Sequence, residues 1–286
     1  MPNKQPSPRR NATRKPSLGS ASRTVVDLAL VAPAEDEPPL EVVFDAGVEP
    51  EERAGWITRR LMREVFASPT ALAAELVVSE LMGMTRLACP PESPWDERSE
   101  TIDALIRDVT VVAGRDGSAA ALALLRVIAV LATPDLAHEA AEAAQRLLDA
   151  GVPDRPWGRS VGRPKFVRAW WYGDLIGYQE SVSVMFDYAF REHVASVLID
   201  HALGGGVKDC WVAQGKRARA LRAVMAQRAA DPNADFEDLE MEHAHNLLST
   251  ALRSQPCPEQ EDQIRDVSSY LPVVSARVAL LGAMAT

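Results

Sequence analysis

Residues 181–190 read Ser-Val-Ser-Val-Met-Phe-Asp-Tyr-Ala-Phe. Val182, Val184, Phe186, Tyr188 and Phe190 alternate with Ser181, Ser183, Met185, Asp187 and Ala189, a period of two that belongs to a strand with two unlike faces. Upstream, Phe166, Arg168 and Trp170 alternate with Val167, Ala169 and Trp171 in the same way. Downstream, Val194–Ile199 is apolar and partly β-branched, as a central strand is, and Val207–Ala213 completes the set. Short connections between such runs predict a four-stranded antiparallel meander over about 165–213, its last hairpin turning on Gly204-Gly205-Gly206.

Helical periods flank this block. Pro50 with Glu49, Glu51 and Glu52 marks a helix N-terminus, after which Ile57, Leu61 and Val65 recur every four residues. Ser68-Pro69 reads as an N-cap with proline at the first helical position, and Pro90, Pro91 and Pro94 break the chain. Ile102, Leu105, Ile106 and Val109 form the next apolar face. Ser118–Leu131 is almost wholly apolar and must be buried nearly all round. Thr133-Pro134 restarts the pattern, with Gly151 as the residue after the C-cap. Beyond the sheet, Lys216–Ala230, Asp235–Arg253 and Leu271–Met284 read as helices. A run of helices followed by a run of strands implies an α+β fold: a helical bundle, then a four-stranded antiparallel meander, then C-terminal helices. Residues 1–23 read as a disordered basic tail and 24–48 as a peripheral extended segment holding the short apolar stretches Val25–Val31 and Leu40–Phe44. Residues 49–152 form a helical region, and 153–286 hold the sheet and its C-terminal helices, packed with that region as one domain.

Composition bounds the functional classes. The first 23 residues carry six basic side chains and no acid, so the rest of a chain of net charge −9 carries −15. An acidic body argues against a nucleic-acid groove on the fold, leaving nucleic-acid contact to the tail alone. The sequence shows no continuous apolar run of membrane-spanning length and no signal-peptide core, so no membrane partner is expected. Cys89, Cys210 and Cys257 are odd in number and far apart, which fits neither a disulfide framework nor a zinc pattern and points to the cytoplasm.

The densest polar cluster in apolar company is Asp200-His201 with Lys208-Asp209-Cys210, at the two ends of the glycine turn, joined by Asp174 from the Gly173–Gly177 turn. A two-residue glycine turn places Asp200 opposite Asp209, a carboxylate pair that needs a cation or a shared proton. A three-glycine loop places His201 opposite Asp209, a simple charge-assisted pair, and also sets Ile199 opposite Trp211; this second register is preferred. Asp174, Asp200, His201, Lys208 and Asp209 are thus the candidate ligand or interaction cluster. With no spaced histidine set they make no metal signature, and the expected cofactor is none.

Other motifs fail on their chemistry. Gly204–Lys208 resembles a phosphate loop superficially but lacks its spacing and leads into no helix. Glu242-x-x-His245 is half of a carboxylate di-metal motif without its second half. Cys210 in mid-strand beside Asp209 lacks the cationic setting of a nucleophilic thiol. Trp170, Trp171, Tyr172 and Tyr178 crowd the first β connection and read mainly as sheet-face packing.

Tyr172-Gly173-Asp174, Gly177-Tyr178-Gln179, Glu192-His193 and Leu198–Asp209 together resemble a bacterial protein family of high-GC, actinobacterial-like genomes with a Val-Asp-His-Asn-Leu-Gly-Gly … Lys-Asp block. Ala202 stands where that pattern has asparagine. The resemblance covers about Leu122–Ala213 and implies no activity. The expectation is a non-catalytic binding or regulatory module with a protein partner. The alternatives are a metal-dependent hydrolase built on the Asp/His cluster, and a nucleic-acid-associated protein acting through the tail.

Overall fold

The computed structural model describes residues 50–90, 92–259 and 261–285. Residues 1–23, 24–48 and the two short apolar stretches lie outside them. Every described residue belongs to one compact unit.

The fold is α+β, with eight helices and one five-stranded antiparallel sheet among the described residues. Helices α1 (Pro50–Ala67), α2 (Ala71–Ala88), α3 (Trp95–Asp116), α4 (Ala119–Leu131) and α5 (Pro134–Asp149) come first. Strands β1 (Lys165–Asp174), β2 (Gln179–Asp187), β3 (Glu192–Asp200) and β4 (Gly206–Gln214) follow, then α6 (Gly215–Arg228), β5 (Ala234–Leu239), α7 (Met241–Arg253) and α8 (Glu261–Ala285). Strand order is β4-β3-β2-β1-β5. The meander is present, but the expected strand count of four is corrected to five.

The missed strand lies at the start of the run read as one helix from Asp235. Its sequence, Ala-Asp-Phe-Glu-Asp-Leu, carries three acids, which lowers strand propensity and mimics a charged helix turn. On an edge strand those acids are useful, because charge discourages pairing with another chain. Phe236 still packs with the sheet face that α6 covers, and Leu239 joins the opposite core.

Two helix boundaries also move. Thr70, not Ser68, caps α2, its hydroxyl accepting from the Ala73 N–H at 3.1 Å, while Ser68 donates back to the Glu64 carbonyl of α1 at 3.0 Å. The last helix begins at Glu261, so Pro272 sits inside it rather than near its start. Ser118 is the N-cap of α4 and not its first residue, most of that helix is buried as expected, and Gly151 follows α5 with φ of 82°.

The sheet is covered on both faces. One face packs Val182, Val184, Phe186, Ala195, Val197 and Cys210 against α7 and α8. The other packs Trp170, Met185 and Val194 beneath Ala218 and Met225 of α6. Helix α8 also lies along α2 so closely that a Cβ on Gly83 would meet the Ser269 backbone at 2.6 Å. By length and composition Gln263–Ala285 is long and apolar enough to cross a membrane, although the sequence reading found no such segment. Val267, Val273, Val274, Val278 and Leu281 of this helix are buried in the protein core.

Candidate functional site

The β1–β2 turn, the β3–β4 loop and the start of β5 meet at one end of the sheet, since Gln179 pairs with Asp200, Asp200 with Gly206, and Asp174 with Ala234. The candidate cluster lies here, in neither expected register. Asp200 faces Gly206, Ile199 faces Val207 and Leu198 faces Asp209, with Lys208 the extra residue of a bulge. The loop is longer than glycine counting allows, because His201–Leu203 form a 3-10 turn before Gly204 and Gly205. Both of these glycines have positive φ, at 95° and 76°. Gly206 answers a different need: its Cβ would lie 2.1 Å from the Gln255 carbonyl oxygen. The segment bearing Gln255 runs along β4, with the Cys257 N–H donating to the Val207 carbonyl at 2.9 Å, so this edge is covered.

Asp200 is buried and carries the loop. Its Oδ1 accepts from the N–H groups of Ala202 at 3.0 Å and Leu203 at 3.3 Å, capping the 3-10 turn. Its Oδ2 accepts from Lys208 Nζ at 2.7 Å and from Gln179 Nε2 at 2.8 Å. Burial alone would raise the Asp200 carboxyl, but Lys208, Gln179 and the Ala202 N–H together hold it below the usual carboxylate range. Lys208 pairs a second time with Glu259 Oε2 at 2.9 Å. Burial would lower its ammonium, and the two carboxylates instead keep it raised.

His201 does not reach Asp209. Its Nε2 pairs with Glu180 Oε1 at 2.8 Å, and Trp171 Nε1 donates to the other Glu180 oxygen. Asp174 caps its own turn, accepting from Tyr178 N–H at 2.9 Å and Gln179 N–H at 3.0 Å. Asp209 lies across from Leu198, and its charge, after burial, helps push the Cys210 thiol well up, the reverse of nucleophile activation. The structure therefore joins Asp200 to Lys208 and leaves Asp174, His201 and Asp209 in separate arrangements. Among the described residues no three His, Cys, Asp or Glu side chains are placed to hold a metal. His245 of the Glu242-x-x-His245 motif lies against Gly282 of α8, 2.8 Å from where a Cβ would stand.

Exposed beside the half-exposed His201 and Glu259 are several large apolar side chains. Leu175, Ile176 and Tyr178 on the first turn and Leu203 on the second are exposed, Ile176 at 73%.

A second polar group, unforeseen from sequence, is buried where α2, α8 and the far end of the sheet meet. Glu75 and Arg277 are within 1% of full burial, and Arg277 Nη2 donates to Glu75 Oε2. Glu75 Oε1 accepts from the Tyr188 hydroxyl at 2.6 Å and the Gly162 N–H at 3.0 Å. Arg277 Nε donates to His193 Nε2 at 3.0 Å, which requires a neutral imidazole with its proton on Nδ1. The His193 ring is stacked between Phe186 and Tyr188, centroids 5.6 and 5.5 Å away. Burial first, and the Arg277 charge second, hold the imidazole well below its usual value. Burial likewise pushes the Tyr188 hydroxyl up. The signal was present as isolated charge in apolar helices: Arg277 is the one ionisable residue in Leu271–Met284, and Glu75 the one in Leu72–Val78.

No known protein family, curated protein or solved structure matches this chain.

Proposed function

We propose that this chain is a non-catalytic binding or regulatory module of the cytoplasm, and that it meets a protein partner through the sheet end carrying the β1–β2 and β3–β4 turns. One observation carries this reading. The charged groups of the two turns are committed to partners within the chain, Asp200 to Lys208, His201 to Glu180 and Asp174 to its own turn, while Leu175, Ile176, Tyr178 and Leu203 face outward. A catalytic or metal centre presents unspent polar groups to a cleft; an interface presents apolar anchors on a rigid frame. The hydrolase alternative draws little support, because a cation approaching Asp200 would have to displace the Lys208 ammonium at 2.7 Å. The likeness to a bacterial family implies no activity, and nucleic-acid contact through Lys4–Arg23 rests on residues outside those described.

The test is a photo-crosslinking amino acid placed at Ile176 in the full chain, in its own cells, with the same group at the exposed Asp135 as control. A discrete protein adduct at Ile176, absent at Asp135 and abolished by Ile176→Asp with Leu203→Asp, is the expected result. Equal labelling at both positions overturns the proposal.

A further inference from the structure

The opposite end of the sheet carries a feature that the first end does not explain. The β2–β3 hairpin closes on two residues, Ala189 and Phe190, with Tyr188 and Arg191 exchanging both backbone bonds at 3.2 Å. Both central residues have positive φ, 50° and 73°, which is the type I′ turn. That turn selects Asn, Asp and Gly, because an L side chain in this region crowds its own backbone. Alanine and phenylalanine here are strained, and the phenylalanine gains nothing within the chain for it, being 92% exposed. Strain held without internal return marks a position kept for contact outside the molecule.

The tip is fixed rather than loose. Tyr188, at its base, is buried with its hydroxyl between Glu75 and Gly162, and His193 across the hairpin is tied to Arg277.

Its surroundings reverse the charge of the acidic body. Arg163 follows Gly162, which touches the tip's own Tyr188, and Lys165 pairs with Asp187 on the β1 side. Arg191 is in the turn itself. On the β4 side, His193 pairs with Gln214, so α6 begins beside the tip with Lys216 and Arg217 in its first turn. A helix N-terminus favours acids, yet this first turn has none and Gln214 supplies no side-chain cap. Arg219 is held by Glu192 at 2.8 Å, and Asp187 lies across from Lys165. Arg163, Lys165, Arg191, Lys216 and Arg217 are exposed and make no ion pair among the described residues. They stand on both sides of the tip, from β1 to β4, across three strand spacings or about 15 Å.

We infer that this end is a membrane-docking surface, Phe190 entering the interface of an anionic bilayer while Arg163, Lys165, Arg191, Lys216 and Arg217 rest on its phosphates. A ring that projects with no neighbouring wall suits a medium that surrounds it from every side. A base stacked on Phe190 would find no second exposed aromatic on the hairpin, since Tyr188 is buried. Cations spread on both sides of an apolar tip match a plane of phosphates, and such contacts add through charge and insertion together.

The experiment is flotation of the full chain with vesicles of phosphatidylcholine, with and without 30 mol% phosphatidylglycerol, in low salt. The basic residues of 4–23 are replaced by glutamine so that the tail supplies no binding. The expected result is binding to the anionic vesicles alone, lost at high salt. Phe190→Ser should weaken it about tenfold, Phe190→Trp should retain it, and Lys216→Gln with Arg217→Gln should weaken it roughly 25-fold, at about fivefold per cation. Circular dichroism checks that each variant is folded. No binding to anionic vesicles, or binding indifferent to Phe190→Ser, overturns the inference. So does tighter binding of a 20-nucleotide single strand that the same variants abolish.

Discussion

Replacing Arg277 by methionine should expose how the buried quartet contributes. The substitution conserves much of the side-chain volume but leaves Glu75, fully buried, without its cation. Breaking a buried pair from one side typically costs about 3–5 kcal/mol, because the remaining charge has neither partner nor water. Glu75→Gln is the reciprocal break. It keeps an amide oxygen to accept from Tyr188 and Gly162 and leaves Arg277 buried and uncompensated. The double variant removes both charges and should lose only about 1–2 kcal/mol, which reflects imperfect hydrogen bonding around the new amide. The coupling between the two sites is then about 4–9 kcal/mol, well above the few tenths seen for independent sites. Urea denaturation followed by far-UV circular dichroism at pH 8 reads all three, with midpoints compared at a common slope. Additive losses in the double variant, or single losses below about 1 kcal/mol, would refute the reasoning.

Four further outcomes follow. His193 has a folded pKa depressed below about 6.5, so the unfolded chain takes up the proton first; stability should fall as pH drops below about 6.5, by up to 1.4 kcal/mol per unit, and His193→Gln should flatten that slope in pH-dependent urea melts. Asp200→Ala should destabilise by about 2 kcal/mol through loss of a cap and two side-chain bonds, measured by thermal unfolding; a metal-site role would instead relieve the free protein and raise its midpoint. Ala189→Asn with Phe190→Gly should stabilise by about 1–2 kcal/mol by relaxing the type I′ turn, and an unchanged or lower melting temperature would show the turn unstrained. Gly83→Ala should destabilise by roughly 1–3 kcal/mol although alanine is the better helix former, since α8 backbone occupies the space; a gain of about 1 kcal/mol would mean that α2 and α8 separate freely.

What could be read from the sequence was whatever repeats locally. The alternation of 181–190 and the apolar run of 118–131 each bury a face that the neighbouring residues define, so their elements follow from spacing alone. Asp235–Leu239 was illegible because an edge strand is identified by what it pairs with, and its β1 partners lie 62 to 70 positions away in the chain. The hairpin register escaped for a related reason. A 3-10 turn at His201–Leu203 and a bulge at Lys208 each add residues that no glycine count reveals. The pairing among the candidate residues was not legible either, since Asp200 takes Lys208 and His201 takes Glu180 from the neighbouring strand. The buried quartet draws on α2, β3, α8 and the β2–β3 turn, and no local pattern could join them.

The Glu75–Arg277 bond spans 202 residues and closes on the last helix. During synthesis, Glu75 and one apolar face of the sheet are made long before their cover, α8, emerges. For that interval the nascent chain shows an uncovered Val182–Val184–Phe186 surface and a carboxylate destined for a dry site. Closure of this core therefore waits for α8, so the region that comes before it in the chain cannot complete its packing on its own.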